Sequence, residues 1–261
     1  MIRLTAEQLL RAYSMGIFPM ARDRHDQRLF WIDPEERGIL PLDRFHLPRS
    51  LRKELRRTDL VVRADSAFEQ VMRLCAEPTE KRPETWINDE ILRLFVELHH
   101  FGRAHSIEVW RGDTLVGGLY GLALGAAFFG ESMFSREANA SKLALVHLVA
   151  RLRKGGFTLL DTQFVTDHLA QFGTIEIPRR DYLRRLTDAL GRQATFYGDL
   201  GEGGTARDGT AGAGVREAGP AGAEPAGAEP TGAGPTGAGP VGPGVDGLLA
   251  LLSEQSRTQI S

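Results

Sequence analysis

The sequence predicts an α+β fold in which helices flank a mixed, mainly antiparallel sheet. Three strand patterns follow one another closely, HSIEVW at 105–110, TLVGGLYGLAL at 114–124 and AAFFGES at 126–132. A long helix pattern at 139–154 then leads to a fourth strand pattern, TLLDTQ at 158–163. Short turns make neighbouring strands antiparallel, whereas the long helical connection allows a parallel pair.

The chain is predicted to have three parts. Residues 1–63 are predicted to form a small N-terminal α/β domain, and residues 64–198 form the domain that holds the sheet. Residues 199–261 are rich in glycine, alanine and proline and have few large apolar side chains, so we predict a disordered tail. Within this tail, the apolar stretch 245–252 is a candidate short helix.

The charge and cysteine content suggest a soluble, cytoplasmic protein. The formal net charge is −2, but eight acidic and three basic residues lie from Asp199 onward, which leaves 26 acidic and 29 basic residues in the body. A mildly basic body allows a nucleic-acid partner without requiring one. The single Cys75 excludes an intrachain disulfide. We expect no signal peptide, because the N-terminus is short and amphipathic, and no membrane span.

Helix-start signals define several elements around the sheet. Thr5 and Gln8 form a capping-box pattern for a helix that runs to about residue 14. Ser66 with Glu69 is a second such pattern, and Asn88 is the expected N-cap of a helix over 89–101. Further predicted elements are a proline-interrupted loop and short strand at 31–41, a strand at 60–64, a short helix at 167–173 and a final helix at 181–190.

The predicted helix at 48–57 is densely basic. Its cationic residues are Arg49, Arg52, Lys53, Arg56 and Arg57, and the first four share one face through spacings of three and four residues. A solvated surface helix and a phosphate-binding ridge explain this pattern equally well.

Polar side chains stand at the ends of two predicted strands. Glu131 ends the strand at 126–132, and Asp161 and Gln163 end the strand at 158–163. Strand ends of a sheet are frequent binding sites. A carboxylate in an apolar segment is costly unless it is hydrogen-bonded or used, so these residues are candidates for a site at one edge of the sheet.

Several common sites lack their patterns in this sequence. There is no G-x-S-x-G motif of a nucleophile elbow and no P-loop. The glycines at 117, 118, 121 and 125 have the wrong spacing for a dinucleotide loop, and no helix opens after them. His99, His100, His105 and Glu108 fit no standard metal-ligand spacing, so we expect no metal site.

The order of elements resembles the GNAT acyltransferase fold. GNAT enzymes that use acetyl-CoA hold its pyrophosphate on a glycine-rich turn before the long helix. The corresponding residues 135–140 contain no glycine, so we do not expect a CoA thioester as the acyl donor.

Seven segments, in order over about residues 5–190, resemble the leucyl/phenylalanyl-tRNA–protein transferases. They are AYSMGIFPM, WIDPEERGILP, TWI, LHHFGRAHSIEVW, LVGGLYGLALGAAFFGESMFSREANASKLAL, LLDTQ and IPRRDYL. Members of this family transfer Leu or Phe from aminoacyl-tRNA to an N-terminal Arg or Lys of a protein, which marks it for N-end rule degradation. They use no metal or cofactor. The resemblance implies these tRNA and protein partners, leaves Met open as a donor, and fits a cytoplasmic monomer.

The resemblance also implies roles for individual residues. Asp161, Gln163 and Glu131 form the catalytic cluster. Because an amide is a very weak base, we favour Gln163 as an acceptor that orients the attacking amine, with Asp161 either holding it or taking the proton. The acids could instead attract the cationic side chain of the acceptor. Leu119, Phe128 and Met133 line the donor pocket, Trp31 and Trp86 hold the terminal adenosine, and the basic helix contacts the tRNA acceptor arm.

The chain departs from the family pattern in three ways. It begins later than many members, it carries the tail, and it has Thr162 where cysteine is usual. We expect Thr162 to point away from Asp161 and Gln163, because side chains alternate along a strand. Two rival hypotheses stay open at this point. One is another aminoacyl-tRNA-dependent GNAT-like transferase, of the cell-wall peptide type, and the other is an inactive tRNA-binding protein.

Overall fold

The main feature of the fold is a seven-stranded sheet, found in a computed structural model that describes residues 3–80, 83–197 and 244–254. The strands are β1 (Phe18–Met20), β2 (Phe30–Ile32), β3 (Glu36–Ile39), β4 (Val61–Ala64), β5 (Ala104–Arg111), β6 (Thr114–Leu124), β7 (Ala127–Ser135), β8 (Leu159–Gln163) and β9 (Ile175–Pro178). The α-helices are α1 (Ala6–Ser14), α2 (Arg49–Leu55), α3 (Phe68–Cys75), α4 (Asp89–His100), α5 (Ala140–Lys154), α6 (Asp167–Ala170), α7 (Arg179–Leu190) and α8 (Val245–Glu254).

The strand order confirms the predicted mixed, mainly antiparallel sheet. The order is β4-β5-β6-β7-β8-β3-β9, and β1 and β2 form a separate two-stranded sheet. β7 and β8, which α5 connects, run parallel, and each other neighbouring pair of the seven-stranded sheet is antiparallel. β3 lies between β8 and β9, and the predicted domain boundary after residue 63 falls inside β4. The sheet therefore takes strands from both predicted domains.

Two predicted helix starts and the C-terminal helix are confirmed. Thr5 and Gln8 form a complete capping box at the start of α1. Asn88 accepts a hydrogen bond from the backbone of the first turn of α4. The apolar stretch of the tail forms α8. The rest of the predicted disordered tail, 199–243 and 255–261, lies outside the described residues.

The second predicted capping box is wrong. The N-cap of α3 is Ala67, which makes no side-chain cap. Ser66 instead donates its hydroxyl to the carboxylate of Glu108 at 2.9 Å. Glu108 is fully buried on β5, and a buried carboxylate needs hydrogen-bond donors. This demand from the sheet outweighs the local helix signal.

Apolar layers cover both faces of the sheet. On one face lies α5, which is buried along nearly its whole length because the sheet covers one side and α8 contacts another. The opposite face is covered by α1, α3, α4 and α7. Within the described ranges, no helix has the length and apolarity required to cross a bilayer.

His147 on α5 makes the stability of the fold sensitive to acid. The side chain is fully buried, and neither ring nitrogen has a hydrogen-bond partner among the described residues. Burial, with a smaller effect from the charge of Arg151, lowers the pKa of His147 to about 3. Above the ordinary histidine pKa both states are neutral. As the pH falls below it, the unfolded state gains a proton that the folded state does not, so stability is lost.

We expect His147→Leu to remove this part of the acid sensitivity. Between about pH 7.5 and about pH 5, the unsubstituted chain should lose about 2 kcal/mol more of its free energy of unfolding than the variant. Urea titration at both pH values measures the difference. An equal loss in the two proteins would contradict the burial of a neutral His147.

Candidate active site

A cavity of about 440 Å³ opens where β7 and β8 separate. The two strands pair only over residues 127–129 and 159–161. Beyond these residues β7 continues beside β6 to Ser135, whereas β8 ends at Gln163. Side chains from both faces of the sheet reach this gap. The polar residues at the strand ends therefore lie beside apolar residues of the layers that cover the sheet.

A β-bulge in β7 determines which side chains face this cavity. The register shifts between Tyr120 and Gly121 of β6, which leaves Glu131 of β7 without an opposite residue. The extra residue reverses the alternation, so that Met133 lies beside Leu119 on the α5 side. A Cβ at Gly121 would lie 2.3 Å from a carbonyl oxygen of β7, so the bulge requires glycine there.

The cavity lining is mainly apolar, with polar groups near the strand ends. Apolar side chains from the sheet, from α5 and from the N-terminal segments face it: Phe18, Met20, Trp86, Leu119, Met133, Leu145, Leu148, Leu160 and Leu169. Polar lining residues include Glu131, Ser141, Thr162, Gln163 and His168. A mainly apolar wall with a few convergent polar groups is typical of a small-molecule site.

Asp161 lies behind the cavity and is fully buried. Arg37 donates to both of its oxygens, from Nε to Oδ1 at 3.0 Å and from Nη2 to Oδ2 at 2.6 Å. The hydroxyl of Tyr182 donates to Oδ2 at 2.7 Å, and the backbone N–H of Gln163 donates to Oδ1 at 2.8 Å. The carboxylate is thus fully engaged by groups that the fold supplies.

Arg37 is the buried counter-ion of Asp161. Its guanidinium stands over two aromatic rings, 4.6 Å from the ring centre of Phe18 and 4.5 Å from that of Tyr182. It also donates to the carbonyl of Gly16 at 3.0 Å. Burial opposes the charge, but the charge of Asp161 and its hydrogen bonds outweigh this effect and raise the pKa of Arg37. The guanidinium therefore keeps its positive charge in spite of its burial.

Gln163 leaves the extended strand conformation, with a φ of 57°. Its hydrogen-bonding surroundings orient the side-chain amide, with Nε2 donating to the carbonyl of Gly130 at 2.8 Å and to that of Thr162 at 3.2 Å. This leaves Oε1 as the acceptor of the amide. The left-handed turn and the backbone hydrogen bond to Asp161 hold this orientation beside the cavity.

Glu131 points toward the N-terminal helix. The hydroxyl of Tyr13 donates to its Oε1 at 2.8 Å. Burial raises the pKa of Glu131 to about 8, with a further increase from the charge of Asp161, while the Tyr13 hydrogen bond and Arg37 act in the opposite direction. At neutral pH the carboxyl group is mainly protonated, and a nearby cation would favour its ionisation.

The prediction that Thr162 points away from Asp161 and Gln163 is confirmed for Asp161 and wrong for Gln163. Thr162 lines the cavity, and Asp161 faces Arg37 on the opposite side of β8. The alternation ends at the left-handed Gln163, so neighbouring residues 162 and 163 both reach the cavity. Oγ1 of Thr162 and Nε2 of His168 are buried and have no hydrogen-bond partner among the described residues. The cavity thus offers polar atoms that a ligand or water can satisfy.

The predicted binding residues fall into two groups. Leu119, Met133 and Trp86 line the cavity. Phe128 does not line it, because its ring packs in the α5-side core, 5.8 Å from the ring centre of Phe196. Trp31 pairs with the middle residue of β1, so its side chain lies on the face opposite to Phe18 and Met20, and it does not reach the lining.

The basic residues of the predicted ridge lie on and just after α2. Leu51 and Leu55 anchor this helix in the core, which leaves the cationic side chains exposed or half-buried at the surface. Glu54 of the same helix accepts a hydrogen bond from Asn139, two residues before the cavity residue Ser141. This contact brings α2 to the start of α5 beside the cavity.

Three of the four residues that were considered for a metal site, and for which none was expected, have other partners. His105 forms a hydrogen bond with Asp65 at 2.8 Å, and His99 with the carbonyl of Ala104. Glu108 accepts from serine hydroxyls, and burial raises its pKa to about 7. Among the described residues, no group of three or more His, Cys, Asp or Glu side chains could hold a metal ion.

Sequence reasoning missed Arg37, Tyr182 and Tyr13. Arg37 carried one usable signal, since it stands in a short segment that continues into the apolar run GILP. Its partner lies 124 residues away, and nothing local identifies that partner. The two tyrosines sit on amphipathic helices, where an aromatic residue is ordinarily part of the core.

Most of the residues from 3 to 187 match models of a known protein family. A family model described as leucyl/phenylalanyl-tRNA protein transferase matches residues 39–187, and a model described as the N-terminal domain of that transferase matches residues 3–35. A leucyl/phenylalanyl-tRNA–protein transferase of Paramagnetospirillum magneticum is 66% identical over 193 residues, which are 74% of this chain and 92% of that protein. Proteins of the same name from Rhodospirillum rubrum and Phenylobacterium zucineum are each 57% identical, over 200 and 197 residues. These alignments cover 77% and 76% of this chain, and 94% and 89% of the two proteins.

Removing the counter-ion of Asp161 should destabilise the fold strongly. We expect Arg37→Met to lower the free energy of unfolding by about 3–5 kcal/mol, because a buried charge is left unpaired. The double variant Arg37→Met/Asp161→Asn removes both charges and should lose less than the sum of the two single variants. Urea unfolding of the four proteins measures this coupling. Additive losses would contradict a coupled ion pair.

Proposed function

Because the chain belongs to the leucyl/phenylalanyl-tRNA–protein transferase family, we propose that it transfers leucine or phenylalanine from aminoacyl-tRNA to the N-terminal arginine or lysine of an acceptor protein. The observation that carries this proposal is the apolar cavity beside the oriented amide of Gln163, inside the region that the family model matches. The product is a protein with a new N-terminal residue, which serves as an N-end rule degradation signal. The chain acts as a monomer in the cytoplasm.

The chemistry consists of positioning two groups and stabilising charge. The acceptor α-amine attacks the ester carbonyl of the donor, a C–N bond forms, the C–O bond to the tRNA ribose breaks, and the amine proton ends on the tRNA hydroxyl. The donor ester is already activated, so correct placement supplies much of the acceleration. An α-amine with a pKa of about 8 is partly neutral at physiological pH, and it needs little help from a base.

Gln163 orients the attacking amine. Its Nε2 is engaged by the carbonyls of Gly130 and Thr162, so Oε1 is the atom available to accept a hydrogen bond from the amine. An amide oxygen is too weak a base to take the proton. The amine is therefore held in line with the ester carbonyl, and its proton moves to the departing tRNA oxygen.

Asp161 positions Gln163 rather than taking the proton. Its oxygens accept from Arg37, Tyr182 and the backbone of Gln163, and it does not line the cavity. Taking a proton would require the loss of one of these bonds and would leave Arg37 buried without its counter-ion, which is unfavourable. Of the two roles that the sequence left open, the contacts support the holding role.

Glu131 recognises the cationic side chain of the acceptor. It lines the cavity beside Gln163, and its carboxyl group is already held at one oxygen by Tyr13. An arginine or lysine side chain close to Glu131 would restore its ionised form by offering an opposite charge. This explains why a buried acid with a pKa of about 8 is useful at the site.

The donor occupies the rest of the cavity. Leu119 and Met133 contact the leucine or phenylalanine side chain together with Leu145, Leu148 and Leu160, which the sequence did not identify. A flexible methionine helps one pocket take both shapes. Phe128 supports these residues from the core. Trp86 stacks on the terminal adenosine with Met20 beside it, and Trp31 contacts the tRNA outside the cavity.

The basic residues of α2 bind the acceptor arm of the tRNA. Arg49, Arg52, Lys53 and Arg57 form no ion pair with any residue that the structure describes, so their charges are available to phosphates. The contact between Glu54 and Asn139 ties this helix to the cavity. A tRNA end that enters the cavity would pass close to these charges.

The proposed transfer is tested with charged tRNA. Incubation with Leu-tRNA and a reporter that begins with arginine should add one leucine, detected by mass spectrometry. Gln163→Ala should keep the fold and reduce kcat by about 10²-fold or more, because the amine loses its orientation. The exposed Gln193→Ala is the matched control and should retain full activity. Addition to a cell-wall precursor instead of the reporter would reject the proposed acceptor.

The role of Glu131 predicts a pH dependence of acceptor binding. A des-amino-arginyl peptide has no α-amine to titrate, so its inhibition constant reports recognition of the side chain alone. Because Glu131 titrates near pH 8 in the free protein, binding of the cation below this pH requires release of a proton. The inhibition constant should fall up to about tenfold per pH unit from pH 6 toward pH 8 and then level off. Glu131→Gln should abolish this slope, and an unchanged slope in the variant would reject the role.

A further inference from the structure

The C-terminal helix α8 is docked on the body of the protein beside the basic residues of α2. Leu248, Leu249 and Leu252 are buried in the same apolar cluster as Leu51 and Leu55 of α2. α8 also contacts α5 directly. The surface between α2 and α5 therefore accepts a short helix with one leucine-rich face.

Two arginines, one just after α2 and one on α5, hold the two ends of α8. Asp246, near its start, accepts from Nε of Arg56 at 3.1 Å. The carbonyl of Leu252, near its end, accepts from Nη1 of Arg153 at 3.1 Å. An acidic residue at the start of a helix and a cation at its end both match the helix dipole, so the surface selects the direction of the helix as well as its apolar face.

The docked helix pairs one of the proposed tRNA-binding residues with a carboxylate. Among the five basic residues of this region, Arg56 is the one that forms an ion pair within the described structure, and its partner is Asp246 of α8. α8 thus places a carboxylate against the basic surface that the other four residues form. A phosphate group approaching Arg56 would have to displace Asp246.

α8 lies outside the part of the chain that resembles known transferases. The family models end at residue 187. The alignments with the three relatives cover 89–94% of those proteins but only 74–77% of this chain. Each relative therefore has few residues outside its alignment, whereas about a quarter of this chain is not aligned. α8 thus lies beyond the last residue that the family models match.

We propose that α8 is a built-in competitor of tRNA, which covers part of the basic surface of α2 and is displaced when the acceptor arm binds. This inference rests on the proposed tRNA-binding role of α2. Residues 198–243 connect α8 to the body, so that the same chain supplies the competitor. The ion pair of Asp246 is exposed, with 85% of the Asp246 side chain and 54% of the Arg56 side chain accessible. Exposed pairs are weak and salt-sensitive, which suits a contact that must be exchanged.

The test uses the full chain with α8 undocked. Leu248→Ser/Leu252→Ser removes two buried leucines, and Ala250→Ser is the matched control at an exposed position of the same helix. The undocked variant should bind Leu-tRNA roughly three- to tenfold more tightly at low salt, with a salt slope steeper by about one unit, because one more phosphate contact forms. Asp246→Asn should show a smaller change in the same direction. Affinities equal to that of the unsubstituted chain in both variants would overturn the proposal.

Hydrogen exchange gives a second readout that a purely structural role would not produce. Saturating Leu-tRNA should speed amide exchange in α8 of the unsubstituted chain, because the bound acceptor arm displaces the helix. Unchanged or slower exchange in α8 would overturn the proposal. A dimer in light scattering that dissociates in the undocked variant would also overturn it, since α8 would then come from a second copy.

A separate arm distinguishes the failure of the inference from that of the proposed tRNA site. Arg52→Glu/Lys53→Glu should weaken Leu-tRNA binding and flatten its salt dependence, whereas the exposed pair Arg180→Glu/Arg192→Glu is the charge-matched control. If the α2 variant binds no worse than its control, the tRNA-binding role of α2 fails. If it binds more weakly but undocking α8 has no effect, the competitor fails alone.

Discussion

The buried ion pair between Arg37 and Asp161 is the contact on which the rest of the site depends. Arg37 comes from β3 and Asp161 from β8, and their interaction fixes these antiparallel strands at the point where the sheet opens. The same guanidinium reaches the turn after α1 and packs between the rings of Phe18 and Tyr182. The N-terminal segment, the sheet and α7 are thereby held in one arrangement. Because unpaired buried charges are costly, this arrangement has few alternatives.

The separation of β7 and β8 opens a cavity next to this ion pair. Where pairing stops, the cavity receives apolar side chains from the α5 layer and polar groups from the strand ends. Two local deviations from regular β structure then aim the polar groups. The bulge directs Glu131 toward Tyr13, and the left-handed turn at Gln163 brings its amide to the lining. Both deviations depend on neighbours, since the bulge needs Gly121 and the turn is bonded to Asp161.

Local sequence signals predicted much of the fold and less of the site. Capping residues and apolar periodicity predicted α1, α4, α5 and strands β5 to β8, because these signals act within a few residues. The placement of β3 beside β8 depends on the ion pair between residues that are distant in sequence. Hydrophobic periodicity within a segment cannot predict such a pairing. Glu131, Asp161 and Gln163 were identified as a group because acids in apolar segments are conspicuous. The separate roles of these three residues were not predictable. They depend on the hydrogen bonds that both oxygens of Asp161 accept in the folded structure.

Contacts in the folded core explain two further errors. The orientation of Thr162 was predicted from strict alternation, which ends at the positive φ of Gln163. The capping box at Ser66 was predicted from local spacing, whereas the buried Glu108 takes the serine hydroxyl. In both cases a demand from the folded core outweighed a local preference, which is expected where polar groups are buried.

In the proposed mechanism, Gln163 contacts the reacting amine, and Asp161 holds Gln163 in place from behind the cavity. A crystal structure with a tetrahedral phosphonamidate that joins a phenylalanyl-adenosine mimic to an arginyl peptide tests this directly. We predict that the phenyl ring lies beside Met133 and that Oε1 of Gln163 accepts from the nitrogen of the inhibitor. Asp161 should keep its bonds to Arg37 and Tyr182. A carboxylate of Asp161 turned toward the inhibitor nitrogen, or an inhibitor bound outside the gap between β7 and β8, would contradict the account.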